Sequence, residues 1–105
     1  LCVICLVTVM DARNMEYIPD NCFNLIIDKG LLDAVFCSQD NLMSVSSLVD
    51  EMHRVTKPQG VYLVISHAPP EHRMPYLQAG LAKGERNWTV KHMTIREFTV
   101  IFIIL

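Results

Sequence analysis

Leu25-Ile26-Ile27 runs without a polar break into Asp28-Lys29-Gly30, and this junction constrains the fold more than any other stretch of the chain. The apolar residues predict a strand buried on both faces, of the kind found inside parallel sheets. Such a strand delivers a charged pair and a flexible backbone position to one end of its sheet. Open α/β sheets place their ligands at that end.

The flanking segments complete an alternating pattern. Residues 1–10 are rich in Val, Ile, Leu and Cys with only Thr8 polar, which predicts a buried strand ending at Asp11. Tyr17-Ile18-Pro19-Asp20-Asn21 then supplies turn chemistry. After Gly30, residues 31–36 are read as a short helix or an irregular lid. Leu42, Val45, Leu48, Val49, Met52 and Val55 recur at spacings of three and four, with Asp50, Glu51, Arg54 and Lys57 on the opposite face of the helix they predict. Asp40 or Asn41 can cap that helix, and Lys57-Pro58-Gln59-Gly60 stops it. Residues 61–66 form another apolar strand. The strand-helix-strand order makes 23–27 and 61–65 parallel neighbours joined by a right-handed crossover. Beyond His67-Ala68-Pro69-Pro70, Met74, Leu77 and Leu81 follow a helical spacing up to Gly84. Residues 88–95 and 98–105 read as two strands close enough to pair antiparallel around Arg96-Glu97.

Composition narrows the function classes. The chain has 105 residues, 51% hydrophobic and 19% charged, which fits one globular domain. Its formal net charge of −2 offers no surplus of Lys and Arg for nucleic-acid phosphates. Cys2 and Cys5 have the gap of a zinc knuckle, but residues three apart in a strand point to opposite faces, and Cys22 and Cys37 supply no second pair. The four cysteines are therefore read as reduced and buried, in a cytoplasmic protein without a bound metal. Residues 1–10 are too short to span a bilayer and lack the marks of a targeting signal. The chain begins without Met, which leads to the expectation that it is a fragment of something longer.

Phe23-Asn24-Leu25-Ile26-Ile27-Asp28-Lys29-Gly30-Leu31-Leu32-Asp33-Ala34 resembles a segment of the class I, Rossmann-like S-adenosylmethionine-dependent methyltransferases, similar to the elongation-factor lysine methyltransferases. The whole order, with Asp11-Ala12-Arg13-Asn14-Met15 after the first strand and Lys57-Pro58-Gln59-Gly60 before the third, resembles that family from its third strand to its seventh. The resemblance implies an α/β fold: a partial methyltransferase domain over 1–105, with parallel strands, helices between them and an antiparallel C-terminal strand pair. It also implies S-adenosylmethionine as cofactor and a protein lysine or other amine as methyl acceptor. By position, Asp11 would accept the adenine amino group, the Ala12 amide would meet the ring nitrogen, and Asp28 would face the methionine part of the cofactor. Lys29, Gly30, Leu31 and His67 would stand on the acceptor side, Asp11 and Asp28 sharing one rim and one crevice. No catalytic residue is assigned. Asn24, Thr56 and Gln59 depart from the family pattern at peripheral positions.

The larger departure is that no Gly-x-Gly segment occurs anywhere in the chain. The family's glycine loop and its ribose-binding acid would precede Leu1. Family strand order, 3-2-1-4-5-7-6, also places two strands between those corresponding to 1–10 and 23–27. The chain alone would then have a gapped sheet or an orphan first strand. A second reading follows, a non-catalytic fragment or degenerate relative that acts through association with a partner.

The other polar residues have plainer readings. Asp11 can serve as a turn residue, and Asp28 and Lys29 as a solvated strand end. His67, Glu71 and His72 fit the capping of the next helix. Lys29, with a reference pKa of about 10.4, is no base unless buried. Ser66-His67 lacks the elbow and acid of a hydrolase triad. A nicotinamide-binding Rossmann half would need its own glycine fingerprint, and the antiparallel ending favours the methyltransferase.

Overall fold

The computed structural model describes residues 5–82 and 88–105. Its elements are β1 (Phe23–Lys29), α1 (Leu31–Phe36), α2 (Asn41–Val55), β2 (Thr56–Ser66), a 3-10 turn (Pro70–His72), α3 (Met74–Ala82), β3 (Thr89–Ile95) and β4 (Phe98–Ile104). The sheet order is β1-β2-β4-β3, with β1 and β2 parallel and the other two pairs antiparallel. This is the α/β arrangement expected, and it reproduces the 4-5-7-6 half of the methyltransferase sheet. The end of the helix expected at Gly84 lies outside the described residues.

Local sequence explains most of this. In α2 the expected apolar stripe is the buried one, with Leu48, Val49 and Val55 at 0% exposure. Asp40 takes the N-cap position, yet it caps through its carbonyl, which accepts the Ser44 amide, and no side-chain cap bond forms. After Val55 the Thr56 hydroxyl donates to the Met52 carbonyl and closes the last turn. Residues 57–60 then bulge from β2, the register jumping from Phe23 opposite Thr56 to Leu25 opposite Val61.

The core lies on one face of the sheet. Ile26 pairs with Tyr62 and Tyr62 with Ile103, while Asp28 pairs with Val64 and Val64 with Ile101. On this face Tyr62, Val64, Ile101 and Ile103 share one core with Leu32 of α1, Met52 of α2, Leu77 of α3 and Trp88. Their neighbours in register, Leu25, Ile27, Val61, Leu63, Ile65 and Phe102, point the other way and are half-buried or exposed. Among the described residues nothing covers that second face.

Two expectations are corrected here. β1 is an edge strand buried on one face only: Leu25 and Ile27 are 54% and 61% exposed. A run of apolar residues shows that two faces can be buried; whether they are depends on a second layer. Residues 5–10 form no strand, and residues 1–4 lie outside the described residues. The 5–10 segment has strand composition, but strand structure requires a hydrogen-bonding neighbour, and the segment has none among the described residues. The expectation of buried cysteines is corrected as well: Cys5 and Cys37 are free and exposed, and Cys22 is free and half-buried. No helix among the described residues is long and apolar enough to cross a membrane.

Candidate functional site

The parallel pair β1 and β2 brings both sequence-predicted rim segments to one end of the sheet. Lys29 lies opposite Ile65, one residue before Gly30 on one strand and two before His67 on the other. Gly30 turns with φ 85, a left-handed conformation that favours glycine, and opens α1. A Cβ there would meet open space, so φ, not crowding, sets the requirement.

Asp28 anchors this turn. Its side chain is 4% exposed, and it accepts hydrogen bonds from the Leu31 amide (2.9 Å), the Leu32 amide (3.3 Å) and the Tyr62 hydroxyl (2.7 Å). Burial raises its pKa above the ordinary carboxylate value, and Asp33 nearby adds to the rise, against the lowering by its three donors. Burial and the adjacent Asp28 push the Tyr62 hydroxyl far upward, so it remains a donor. Lys29 is exposed, and Leu31 is 37% exposed.

The residue that sequence reading missed is Asp33. It accepts from the Ser66 hydroxyl (2.5 Å), the His67 amide (2.9 Å) and Arg73 Nε (3.1 Å). Burial pushes its pKa up, but the bonds from Ser66, His67 and Arg73 together hold it below the usual range. Arg73 lies 4.0 Å over the Phe36 ring, and Phe36 meets Tyr76 edge-on. Ser66 also accepts the Ala68 amide, and Thr99 donates to the Ala68 carbonyl. One carboxylate on α1 thereby fixes the whole exit of β2. The available signal was the second acid of Asp-Lys-Gly-Leu-Leu-Asp, which falls in the first turn of α1. His67 itself is exposed, its ring tilted against Phe98 at 4.7 Å.

Asp11 and Ala12 sit elsewhere. Asp11 follows an irregular segment, not a strand end, and both its oxygens are held by Arg13 through Nε, Nη2 and the backbone amide. The Arg13 bonds lower its pKa to about 2. Arg13 in turn donates to Ser44 in the first turn of α2, and Ala12 is half-buried against the core. An open cleft of about 540 Å³ borders Asp11, lined by Thr8, Val9, Met10, Asn14, Met15, Glu16 and Tyr17. Asp28 is not part of it. The expected common crevice for Asp11 and Asp28 is thus corrected: one acid lies outside the sheet and the other beneath a helix cap.

No family model matches the sequence. The chain is 38% identical over 81 residues to the mitochondrial citrate synthase-lysine N-methyltransferase of Pongo abelii, covering 76% of this chain and 31% of that protein. It is 26% identical over 93 residues to EEF1A lysine methyltransferase 4 of Mus musculus, covering 81% and 34%. Among solved structures, a SAM-dependent methyltransferase from Methanosarcina mazei superposes with a TM-score of 0.52 at 15% identity, covering 92% of this chain and 64% of that one. The chain spans about a third of the length of the curated relatives it matches. The chain is thus similar in sequence to lysine methyltransferases, and its sheet is similar to that of S-adenosylmethionine-dependent methyltransferases.

S-adenosylmethionine is the cofactor this relationship implies, and of the two acids only Asp11 keeps an exposed carboxylate. Arg13 occupies both Asp11 oxygens, and the Asp28 carboxylate is spent on two amides and Tyr62. Asp28, 4% exposed, offers no open acceptor, whereas the Asp11 side chain is 53% exposed and its oxygens keep lone pairs beside the Arg13 bonds.

Proposed function

We propose that the chain forms the acceptor-side part of an S-adenosylmethionine-dependent protein methyltransferase that acts on a lysine amine. The observation that carries this reading is the β1-β2-β4-β3 order, with Lys29-Gly30-Leu31 and His67 leaving the parallel pair at one end. Methyl transfer to an amine needs the acceptor deprotonated and held close in a water-poor pocket, and calls for no metal. In this proposal Asp28 and Gly30 shape the turn that presents Lys29 and Leu31 at the rim. Asp33 holds His67 there through its backbone, and the exposed imidazole is the group placed to take the acceptor's proton. The acceptor is a protein, and a cytoplasmic setting belongs to the proposal.

The test is a graft: this chain replaces its matched segment in the citrate synthase-lysine methyltransferase, and tritiated methyl transfer to citrate synthase and to eEF1A is measured. Acid-stable label on lysine is the expected result. A graft that folds and binds S-adenosylhomocysteine yet labels neither protein would overturn the acceptor-side role. A second reading, association without catalysis, is favoured by the engagement of Asp11 and Asp28 within the chain. On that reading the 105-residue chain itself transfers no label.

A further inference from the structure

The backbone around His67 is fixed from two directions. The His67 amide donates to Asp33 on α1 at 2.9 Å, and the next carbonyl, that of Ala68, accepts from the Thr99 hydroxyl on β4 at 2.7 Å. Thr99 is itself placed by two ladders, opposite Ser66 on β2 and Thr94 on β3. The His67 side chain has no restraint of that kind. Among the described residues no hydrogen bond or ion pair reaches its imidazole. A histidine held by its backbone alone samples several χ1 wells and a broad χ2, so its ring nitrogens face any one point only part of the time.

Phe98 supplies the missing restraint. It begins β4 directly after the two-residue turn Arg96-Glu97, opposite Ile95 and next to Thr99. Its ring centroid lies 4.7 Å from that of His67, with the planes at 46°. Ring pairs attract over about 4.5–7 Å, with offset and edge-on arrangements preferred to a flat sandwich. Phe98 is half-buried while His67 is exposed, so the phenyl ring is the fixed member of the pair. The start of β4 therefore holds the loop through Thr99 and the imidazole through Phe98.

We propose, resting on the acceptor-side role given to His67 above, that Phe98 is a positioning residue for methyl transfer. It acts through His67, holding the imidazole in the orientation that takes a proton from the acceptor's ammonium group and leaves the amine neutral and the ring as imidazolium. Such a transfer requires the two nitrogens within about 2.6–3.2 Å of each other, and small misplacements cost rate steeply.

A double-mutant cycle in the methyltransferase graft described above tests this. Phe98→Leu keeps an apolar side chain and removes the ring. It is expected to lower kcat about tenfold while KM for the acceptor protein changes by less than about twofold. Phe98→Tyr retains the ring and should retain most of the rate. In a His67→Gln background, itself slower by about a hundredfold or more, Phe98→Leu should have no further effect, because the group it acts through is gone. Binding of S-adenosylhomocysteine by each variant shows that the graft has folded. An unchanged kcat in Phe98→Leu, or a loss of equal size in both backgrounds, overturns the positioning role while the acceptor-side reading stands. An unsubstituted graft that labels neither protein overturns that reading and the positioning role together. The 105-residue chain gives a readout free of activity. Proton NMR should show NOEs between the His67 and Phe98 rings, and His67 ring-proton shifts displaced by the phenyl ring current from those of the exposed His72 and His92. Phe98→Leu should remove that displacement. Absence of both signals in the wild type overturns the contact on which positioning depends.

Discussion

Gln59 holds a left-handed backbone, φ 67, at the position where the methyltransferase pattern has its first glycine. A side chain with a Cβ is strained there, and its amide donates to the Leu105 carbonyl, so the turn cannot relax without losing that bond. Gln59→Gly is expected to stabilise the protein by roughly 1 kcal/mol, less any entropy cost of the glycine. At this chain length that raises the melting temperature by about 4–8 °C, measurable by calorimetry. Gly60 shows the opposite constraint. A Cβ on it would lie 2.8 Å from the Lys57 carbonyl oxygen and 3.0 Å from the Asn24 carbonyl oxygen, both backbone atoms that cannot swing aside. Gly60→Ala should therefore cost about 1–3 kcal/mol, read as a lower urea midpoint. An unchanged midpoint would show that the bulge at 57–60 rearranges freely.

Between elements, Asp33 makes the connection that holds α1, the end of β2 and the approach to α3 in one arrangement. Asp33→Asn keeps the shape but loses the charge-assisted bonds to Ser66, His67 and Arg73, a loss of about 1–3 kcal/mol near neutral pH. Because the folded pKa of Asp33 lies below its unfolded value, its contribution is complete above about pH 3.9 and disappears as pH falls through the folded value. Asp28 runs the other way: raised by burial, it favours the folded state most at low pH and loses that contribution as pH rises through its folded pKa. The gap between wild type and Asp33→Asn should therefore narrow in urea titrations carried downward from pH 6, beginning below about pH 3.9, where the unfolded chain takes up the proton before the folded one does. A constant gap would mean that the bonds do not depend on the charge. The parallel pair, α2 and the β3–β4 hairpin were legible in the sequence, because each rests on local periodicity or on the short βαβ connection. The Asp33 bonds were not legible, since they join positions 33 to 40 residues apart that only the crossover brings together. Residues 5–10 were misread for the converse reason: composition reports the propensity for a strand, while the partner that realises it is a tertiary fact.

At the scale of the molecule the sheet is covered on one face only among the described residues, and this sets how substitutions should be felt. Ile103 is 0% exposed on the helix-covered face, whereas Ile27, on the opposite face of β1, is 61% exposed. Ile103→Ala is expected to cost about 2–5 kcal/mol through lost burial and the cavity left behind. Ile27→Lys should change stability by about 0.5 kcal/mol or less, because the lysine stem replaces an already wetted side chain and its ammonium stays in water. In a fully double-layered sheet the order would reverse, since a buried unpaired ammonium costs more than a cavity. Denaturant midpoints of the two variants at concentrations low enough to keep the chain monomeric therefore show whether the second face is open in solution. If Ile27→Lys proves the more damaging, something covers that face in solution.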